Sequence, residues 1–147
     1  MLPSPLASSS NLIMTIKKIL LIDDEATIRE LVQVCLSDLA GWKVVTVASA
    51  QAGLQQLAIE HPDAILLDVL MPGMDITTFM HRLHENPSTR TIPVILLSAR
   101  ASWFTPQKLQ QLGIVQAIAK PFNAVTLPHE IAHALAWSLQ TKNKYRI

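Results

Sequence analysis

The chain has 147 residues, of which 50% are hydrophobic and 16% are charged, and its formal net charge is +1. This length and apolar content predict one compact domain with its own core, and the balanced charge gives no reason to expect a nucleic-acid partner. The apolar runs are too short to cross a bilayer, and the single cysteine, Cys35, excludes an internal disulfide and suits a reducing, cytoplasmic setting.

Short apolar runs alternate with longer amphipathic runs from residue 17 onward. In chain order, the pattern predicts a strand at 18–22, a helix at 26–39, a strand at 43–48, a helix from a Ser49 cap to about 59, a strand at 64–68, a helix at 77–84, a strand at 93–97, a helix at 106–112, a strand at 114–119 and a helix from 127 to about 140. Five rounds of strand then helix indicate an α/β fold with a parallel sheet covered on both faces.

The segments outside this pattern are short. We interpret residues 1–15 as a disordered N-terminal extension, 16–140 as the folded domain and 141–147 as a short basic tail. Cys35 lies in an apolar helical stretch, where a small buried thiol is the expected role.

Polar residues fall at the ends of the predicted strands. Asp23 and Asp24 end the first strand, and Asp68, Ser98 and Lys120 end the third, fourth and fifth. In an open α/β sheet, ligands bind outside the carboxyl ends of the strands, where the strand order reverses. In a flavodoxin-like (βα)5 doubly wound sheet of order 2-1-3-4-5, the first and third strands are neighbours at that point. The sequence therefore predicts one pocket with three carboxylates, a hydroxyl and an ammonium.

Three carboxylates this close repel one another, by roughly 3 kcal/mol for each pair at about 5 Å and an effective dielectric constant near 20. Mg²⁺ relieves this repulsion, because it bridges carboxylates to phosphate groups with oxygen ligands. A carboxylate such as that of Asp68 can also act as a nucleophile and form an aspartyl phosphate. The Lys120 ammonium and the Ser98 hydroxyl would then pair with phosphate oxygens.

Four motifs in this order carry a family resemblance. They are ILLIDDE at 19–25, ILLDVLMPGMD at 65–75, PVILLSA at 93–99 and KPF at 120–122. Over roughly residues 17–139, the sequence resembles the receiver domain of bacterial two-component response regulators, of the CheY-like chemotaxis-regulator type. The resemblance implies the flavodoxin-like fold and a signalling role based on phosphorylation.

The resemblance also implies a role for each matching residue in binding Mg²⁺. Asp68 is the phosphoacceptor and a metal ligand, and Asp24 is a direct ligand. Asp23 would act on the metal mainly through water, and the backbone carbonyl of Leu70 would supply a further ligand. Mg²⁺ is therefore the expected cofactor.

The resemblance assigns Ser98 as the switch hydroxyl and Lys120 as the cation that pairs with the phosphate, and it implies a cis peptide bond before Pro121. One departure affects the output of the domain. An aromatic residue that moves on phosphorylation usually precedes the lysine by three positions, and Ala117 stands there. Signalling through a rotating ring is therefore excluded. Because Leu70 brings no polar side chain to orient a water molecule, we also expect slow self-dephosphorylation.

Two further patterns have competing interpretations. The run from His129 to His133 matches the H-E-x-x-H zinc motif, but no further ligand follows it, so a solvated helix face is expected. Trp103 and Phe104, after the fourth strand, either pack under their loop or anchor a partner. Trp137 lies off the apolar stripe of the last helix, so we expect it to face outward and add to a partner surface.

The expected function is a stand-alone receiver that takes a phosphoryl group from a histidine kinase or phosphotransfer protein onto Asp68. It would catalyse only its own phosphorylation and dephosphorylation, bind a downstream protein, and contact neither nucleic acid nor membrane. Family resemblance leaves a homodimer open. The main alternative is a non-phosphorylated interaction module. Two enzyme or carrier classes fit less well. A phosphatase with an aspartyl nucleophile would need a D-x-D motif, but the acceptor run reads Asp68-Val69-Leu70. A flavin carrier would favour hydroxyl- and glycine-rich phosphate loops over carboxylates at the strand ends.

Overall fold

The computed structural model describes residues 16–139. In chain order, the elements are β1 (Lys18–Ile22), α1 (Ala26–Ala40), β2 (Lys43–Val47), α2 (Ala50–Glu60), β3 (Ala64–Asp68), α3 (Ile76–Glu85), β4 (Val94–Ser98), a 3-10 turn (Ala101–Trp103), α4 (Pro106–Leu112), β5 (Gln116–Ala119) and α5 (Leu127–Leu135). The predicted extension at 1–15 and tail at 141–147 lie outside the described residues. No helix among residues 16–139 is long and apolar enough to span a membrane.

The five strands form one parallel sheet in the order β2-β1-β3-β4-β5, so the predicted fold class and strand order are confirmed. Helices α1 and α5 cover one face, and α2, α3 and α4 cover the other. A sheet covered on both faces needs strands that are apolar throughout. The strand β1 meets this need, because Ile19 and Leu21 pack toward α1 while Leu20 and Ile22 pack toward α2.

Local signals in the sequence explain where the helices begin and end. The Ser49 hydroxyl accepts a hydrogen bond from the Ala52 N–H (3.1 Å), so it caps α2 as predicted. Asp75 caps α3 in the same way through the Thr78 N–H (2.7 Å). Gly41 ends α1 with a φ of 72°, a left-handed conformation that glycine adopts without a steric penalty. The N-caps Ser49 and Asp75 determine where a loop ends and its helix begins, and Gly41 determines where α1 ends and the next loop begins.

The position of α2 on the sheet depends on a glycine. A Cβ atom at Gly53 would collide with Cδ1 of Ile22, a side chain with no exposed surface. We expect Gly53→Ala to lower the free energy of unfolding by about 1–3 kcal/mol, as for an overpacked core. The better helix propensity of alanine, worth about 1 kcal/mol, opposes this loss. Urea unfolding measures the difference, with the exposed Gln55→Ala as the control. A net stabilisation would show that Ile22 can turn aside without loss.

The last helix and the last strand are shorter than predicted. The predicted helix from 127 to about 140 ends at Leu135, because Ala136 adopts a left-handed conformation with a φ of 57°. Alanine rarely adopts this conformation, so no residue type at this position signals the end of a helix. The predicted strand at 114–119 begins only at Gln116. The Ile114 N–H still donates to the Leu109 carbonyl of α4 (2.9 Å), whereas the Val115 N–H already donates to the Val94 carbonyl at the start of β4 (2.9 Å).

The prediction that Trp137 faces outward is wrong. After the left-handed turn the chain folds back, and the Trp137 ring meets the Trp42 ring edge-on, with 5.3 Å between the ring centroids. The Lys17 ammonium lies 4.8 Å from the centre of the Trp137 ring. The side chain thus packs against the core between α1 and α5 instead of forming a partner surface. Cys35 is buried in the same core, as expected.

Candidate functional site

Four of the polar residues that the sequence singled out lie together at the carboxyl edge of the sheet. Asp68 and Ser98 are the last residues of the neighbouring strands β3 and β4, and both are buried. Asp23 follows β1 and has no exposed surface, and Lys120 follows β5. The backbone holds these strand ends in place, because the N–H of Lys120 donates to the Ser98 carbonyl (2.9 Å).

The ammonium of Lys120 is the centre of the site. Its Nζ atom lies 2.7 Å from Oδ2 of Asp23, 3.4 Å from Oε1 of Glu25 and 3.5 Å from Oδ1 of Asp68. The Lys120 side chain is nearly buried, so the surrounding water screens these charges only weakly. Three carboxylates from the ends of β1 and β3 therefore share one cation that comes from β5.

Burial and charge act on the acid–base properties of this cluster. Burial raises the pKa of Asp68, the repulsion from Asp23 raises it further, and the attraction of Lys120 only partly opposes this. For Lys120, burial favours the neutral form. The hydrogen bond and charge of Asp23, with the charges of Asp68 and Glu25, outweigh burial and raise the pKa of the lysine. The ammonium therefore stays charged, while Asp68 is a carboxylate whose ionised form is costly.

The acidic residues of the site differ in one respect from the expected ligand set. Carboxylate oxygens of Asp23, Glu25 and Asp68 lie within 4.8 Å of one another, close enough to hold one metal ion. Asp24, predicted as a direct ligand, is exposed and lies outside this group, so that role stays a prediction. Sequence reasoning missed Glu25, the third acid of the DDE run. An all-oxygen set of this kind fits a hard divalent cation such as Mg²⁺.

The loop between β1 and α1 fixes the position of Asp23. Its Oδ1 atom accepts a hydrogen bond from the Glu25 N–H (2.9 Å), and its own N–H donates to the Val47 carbonyl (3.1 Å). The Arg29 guanidinium donates to the Asp23 carbonyl (2.9 Å), a contact that the sequence did not indicate. Asp23 therefore offers a preorganised carboxylate, with one oxygen engaged by the backbone and the other by Lys120.

The backbone of the loop after β3 also contacts the acceptor. The N–H of Leu70 donates to Oδ1 of Asp68 over 3.4 Å, which is a long hydrogen bond. The Leu70 side chain is 55% exposed and apolar, in line with the expectation that it orients no water. The predicted role of its carbonyl as a metal ligand stays a prediction. The Lys120–Pro121 peptide bond is cis, as the resemblance implied.

Ser98 connects the site to the loop that follows β4. Its hydroxyl oxygen accepts a hydrogen bond from the Arg100 N–H (2.9 Å), which leaves the hydroxyl proton to donate elsewhere. Two residues singled out in this loop behave differently. Phe104 packs against the core, whereas Trp103 is 56% exposed.

The H-E-x-x-H match is a solvated helix face. Both His129 and His133 are exposed, and neither belongs to the group of potential metal ligands found within residues 16–139. On α3, His81 and His84 are also exposed, and His81 lies 3.3 Å from Glu85, its neighbour one turn along the helix. The chemistry of the described residues is therefore concentrated at the acidic pocket.

Comparison with known proteins gives one consistent match. A family model described as the response regulator receiver domain matches residues 19–132, a range that includes every residue of the acidic pocket. The probable transcriptional regulator ycf27 of Cyanophora paradoxa is 34% identical over 119 residues, which cover 81% of this chain and 48% of that protein. The chain spans about half the length of several curated relatives that it matches.

Two further relatives match over most of their own length. Protein PilG of Pseudomonas aeruginosa is 31% identical over 106 residues, which cover 72% of this chain and 78% of that protein. The structure of the chemotaxis response regulator CheY4 of Vibrio cholerae superposes with a TM-score of 0.74 at 29% identity. That match covers 82% of this chain and 99% of that structure. The likeness therefore extends over the whole sheet and both layers of helices.

Proposed function

This chain belongs to the response regulator receiver family, and from that premise we propose that it accepts a phosphoryl group on Asp68 in a Mg²⁺-dependent reaction. The donor is a phosphohistidine on a histidine kinase or a phosphotransfer protein. The observation that supports this most directly is the convergence of Asp23, Glu25 and Asp68 on the single ammonium of Lys120. This arrangement combines a nucleophilic carboxylate, an oxygen cage for a cation and a positive group for the phosphate.

The residues of the chain have separate tasks in the transfer. A carboxylate oxygen of Asp68 attacks phosphorus, the P–O bond forms as the P–N bond to histidine breaks, and the leaving imidazole takes up a proton. Asp23, Glu25 and Asp68 would hold a Mg²⁺ ion, which would supply positive charge to neutralise the transferred group. The Lys120 ammonium turns from Asp68, 3.5 Å away, to a phosphoryl oxygen, and the Ser98 hydroxyl donates to another.

The phosphorylated domain then acts by binding another protein. Phosphorylation adds about −1.5 to −2 charge and three acceptor oxygens at the edge of the sheet. Ala117 is half-buried on β5 and has only a methyl group to move, so the output depends on Ser98 and its loop.

Catalysis is limited to the protein's own phosphorylation and dephosphorylation. We further propose a cytoplasmic location, where the reduced Cys35 and kinase partners fit. Stand-alone action, the absence of nucleic-acid contact and a homodimer stay predictions.

A second candidate is an interaction module of the same fold that is never phosphorylated, and Ala117 is the observation that favours it. One experiment distinguishes the phosphorylated receiver from the interaction module. The purified protein is incubated with Mg²⁺ and acetyl phosphate, and its intact mass is measured. We expect one added phosphate on the wild type and on Asp38→Asn, an exposed acid on α1, and none on Asp68→Asn or in the presence of EDTA. An unmodified wild type would contradict phosphorylation of Asp68 and favour the interaction module.

The phosphorylated form should be long-lived. Leu70 lies two residues past the acceptor, and its exposed apolar side chain cannot hold a water molecule for attack on phosphorus. We expect Leu70→Asn to speed the loss of phosphate by roughly tenfold, because an amide can position that water. The intact mass is followed after removal of the donor, and Val125→Asn, in another exposed loop, is the control. A wild-type lifetime of only seconds would contradict this prediction.

A further inference from the structure

Helix α5 carries two histidines one turn apart on its exposed face. His129 and His133 are both exposed, whereas Ile131 and Ala132, which lie between them, are buried in the core. Residues four apart on a helix are neighbours, with about 5–6 Å between their Cβ atoms. Two imidazoles at this spacing can reach round one metal ion, with Zn–N distances of about 2.0–2.1 Å. We call His129 and His133 the histidine pair.

The backbone under the histidine pair is held in place by the core. The side chains of Leu127 and Ile131 on the opposite face of α5 have no exposed surface. At the end of the helix, the Trp137 N–H donates to the Ala132 carbonyl (2.8 Å) and closes the last turn. The Cβ positions of the two histidines are therefore fixed before a ligand arrives, and binding orders only two short side chains.

The surroundings of the histidine pair favour a cation as the ligand. Neither imidazole lies within 4.0 Å of a carboxylate oxygen of residues 16–139, whereas His81 on α3 pairs with Glu85 at 3.3 Å. The sequence has no Lys or Arg between Lys120 and Lys142, and Glu130 is the only acid in that stretch. A divalent cation that approaches α5 therefore meets one nearby negative charge and no repelling cation on this segment.

We propose that the histidine pair binds one divalent transition-metal ion, represented by Zn²⁺, at a site separate from the acidic pocket. Imidazole nitrogens suit Zn²⁺, Cu²⁺ and Ni²⁺, whereas Mg²⁺ takes oxygen ligands. No third His, Cys, Asp or Glu of residues 16–139 forms, together with the pair, a set of ligand atoms within 4.8 Å of one another. Water molecules complete the coordination. The site is therefore open, and it is not that of a zinc peptidase, which has three protein ligands.

Binding at the histidine pair stabilises the last helix. The two imidazoles are one turn apart only while α5 is helical, so the unfolded chain binds the ion more weakly than the folded chain. A ligand that prefers the folded state shifts the unfolding equilibrium toward that state. Because α5 contributes no side chain to the acidic pocket, this effect does not depend on phosphorylation.

The test is a titration of Zn²⁺ into the untagged full chain by isothermal titration calorimetry. Saturating Mg²⁺ is present, so that the acidic pocket is occupied. We expect one ion per chain, and roughly tenfold or more weaker binding by His129→Asn and by His133→Asn. Since chelation needs both imidazoles, either single change should weaken binding nearly as much as the double change. The matched control is the double variant His81→Asn and His84→Asn, which removes two exposed histidines from α3 and should bind as the wild type does.

Two further measurements keep the site and the fold apart. Asp68→Asn should bind Zn²⁺ as tightly as the wild type, and a loss of binding in that variant would place the ion in the acidic pocket and overturn the proposal. In urea unfolding, Zn²⁺ should raise the midpoint of the wild type but not that of His133→Asn, with equal midpoints for the two proteins in EDTA. Full Zn²⁺ affinity in either single histidine variant would overturn the chelate. A ratio of one ion to two chains would overturn the water-completed site.

Discussion

Lys120→Met is expected to slow phosphorylation of Asp68 by acetyl phosphate by about a hundredfold or more, because it removes a positive group aimed at the phosphoryl oxygens. The same change should raise the affinity for Mg²⁺. In the wild type the ammonium lies 2.7 Å from Asp23 and 3.5 Å from Asp68, so it competes with the metal for these carboxylates. Phosphorylation is followed by intact mass, and Mg²⁺ binding is measured by isothermal titration calorimetry.

The lysine should also be important for stability when Mg²⁺ is absent. Breaking a buried ion pair leaves an uncompensated charge and costs about 3–5 kcal/mol. Lys18→Met is the matched control, because Lys18 also pairs with a carboxylate, Glu60 at 3.2 Å, but the two side chains are 27% and 23% exposed and so remain in contact with water. That change should cost less than about 1 kcal/mol in urea unfolding. Saturating Mg²⁺ should restore much of the loss in Lys120→Met and none in Lys18→Met.

The opposite effects of Lys120→Met on Mg²⁺ affinity and on the phosphorylation rate distinguish this explanation from a general loss of folding. A partly unfolded Lys120→Met protein would bind Mg²⁺ more weakly and react more slowly. A site that has lost only its internal cation binds Mg²⁺ more tightly and still reacts more slowly. A fall in Mg²⁺ affinity in a folded Lys120→Met protein would show that the ammonium does not compete for the metal site.

The architecture could be predicted from the sequence because the strands are short, apolar throughout and separated by helical runs. Once a parallel sheet is assigned, its carboxyl edge must bring Asp23, Asp68, Ser98 and Lys120 together, whatever the details of the loops. This is why four residues that are distant in sequence could be placed in one pocket. The helix caps at Ser49 and Gly41 follow from equally local chemistry.

The details that the sequence did not predict depend on single torsions and side-chain directions. Asp24 and Glu25 are adjacent acids, and only the turn into α1 determines which of them points at the lysine. Ala136 ends α5 in a conformation that alanine rarely adopts, so no sequence signal marked the position. The direction of Trp137 followed from that turn. Such features come from tertiary packing, which a local pattern does not contain.

In the absence of Mg²⁺ at neutral pH, Asp68→Asn is expected to raise the free energy of unfolding by about 0.5–2 kcal/mol over the wild type. Gains of this size are common when a residue that serves function at the expense of stability is replaced. Burial and the repulsion from Asp23 raise the pKa of Asp68 in the folded state. Between the unfolded pKa, about 3.9, and that raised folded pKa, the native state binds more protons than the unfolded state. The wild type therefore loses stability as the pH rises through this window.

The asparagine variant lacks this titration, so its advantage should be small near pH 3.5 and reach a plateau at neutral pH. Urea unfolding in EDTA measures both proteins across this range, with the exposed Asp38→Asn as the control.

Saturating Mg²⁺ should then make the wild type more stable than Asp68→Asn. At a hundred times its Kd, a ligand adds about 2.7 kcal/mol to the state that binds it. The wild type gains the full stabilisation, because the Asp68 carboxylate completes the set of oxygen ligands for Mg²⁺. The variant has lost that carboxylate and gains less. An Asp68→Asn protein that is less stable than the wild type in EDTA at pH 7 would mean that the attraction between Asp68 and Lys120 outweighs burial and repulsion in the folded protein.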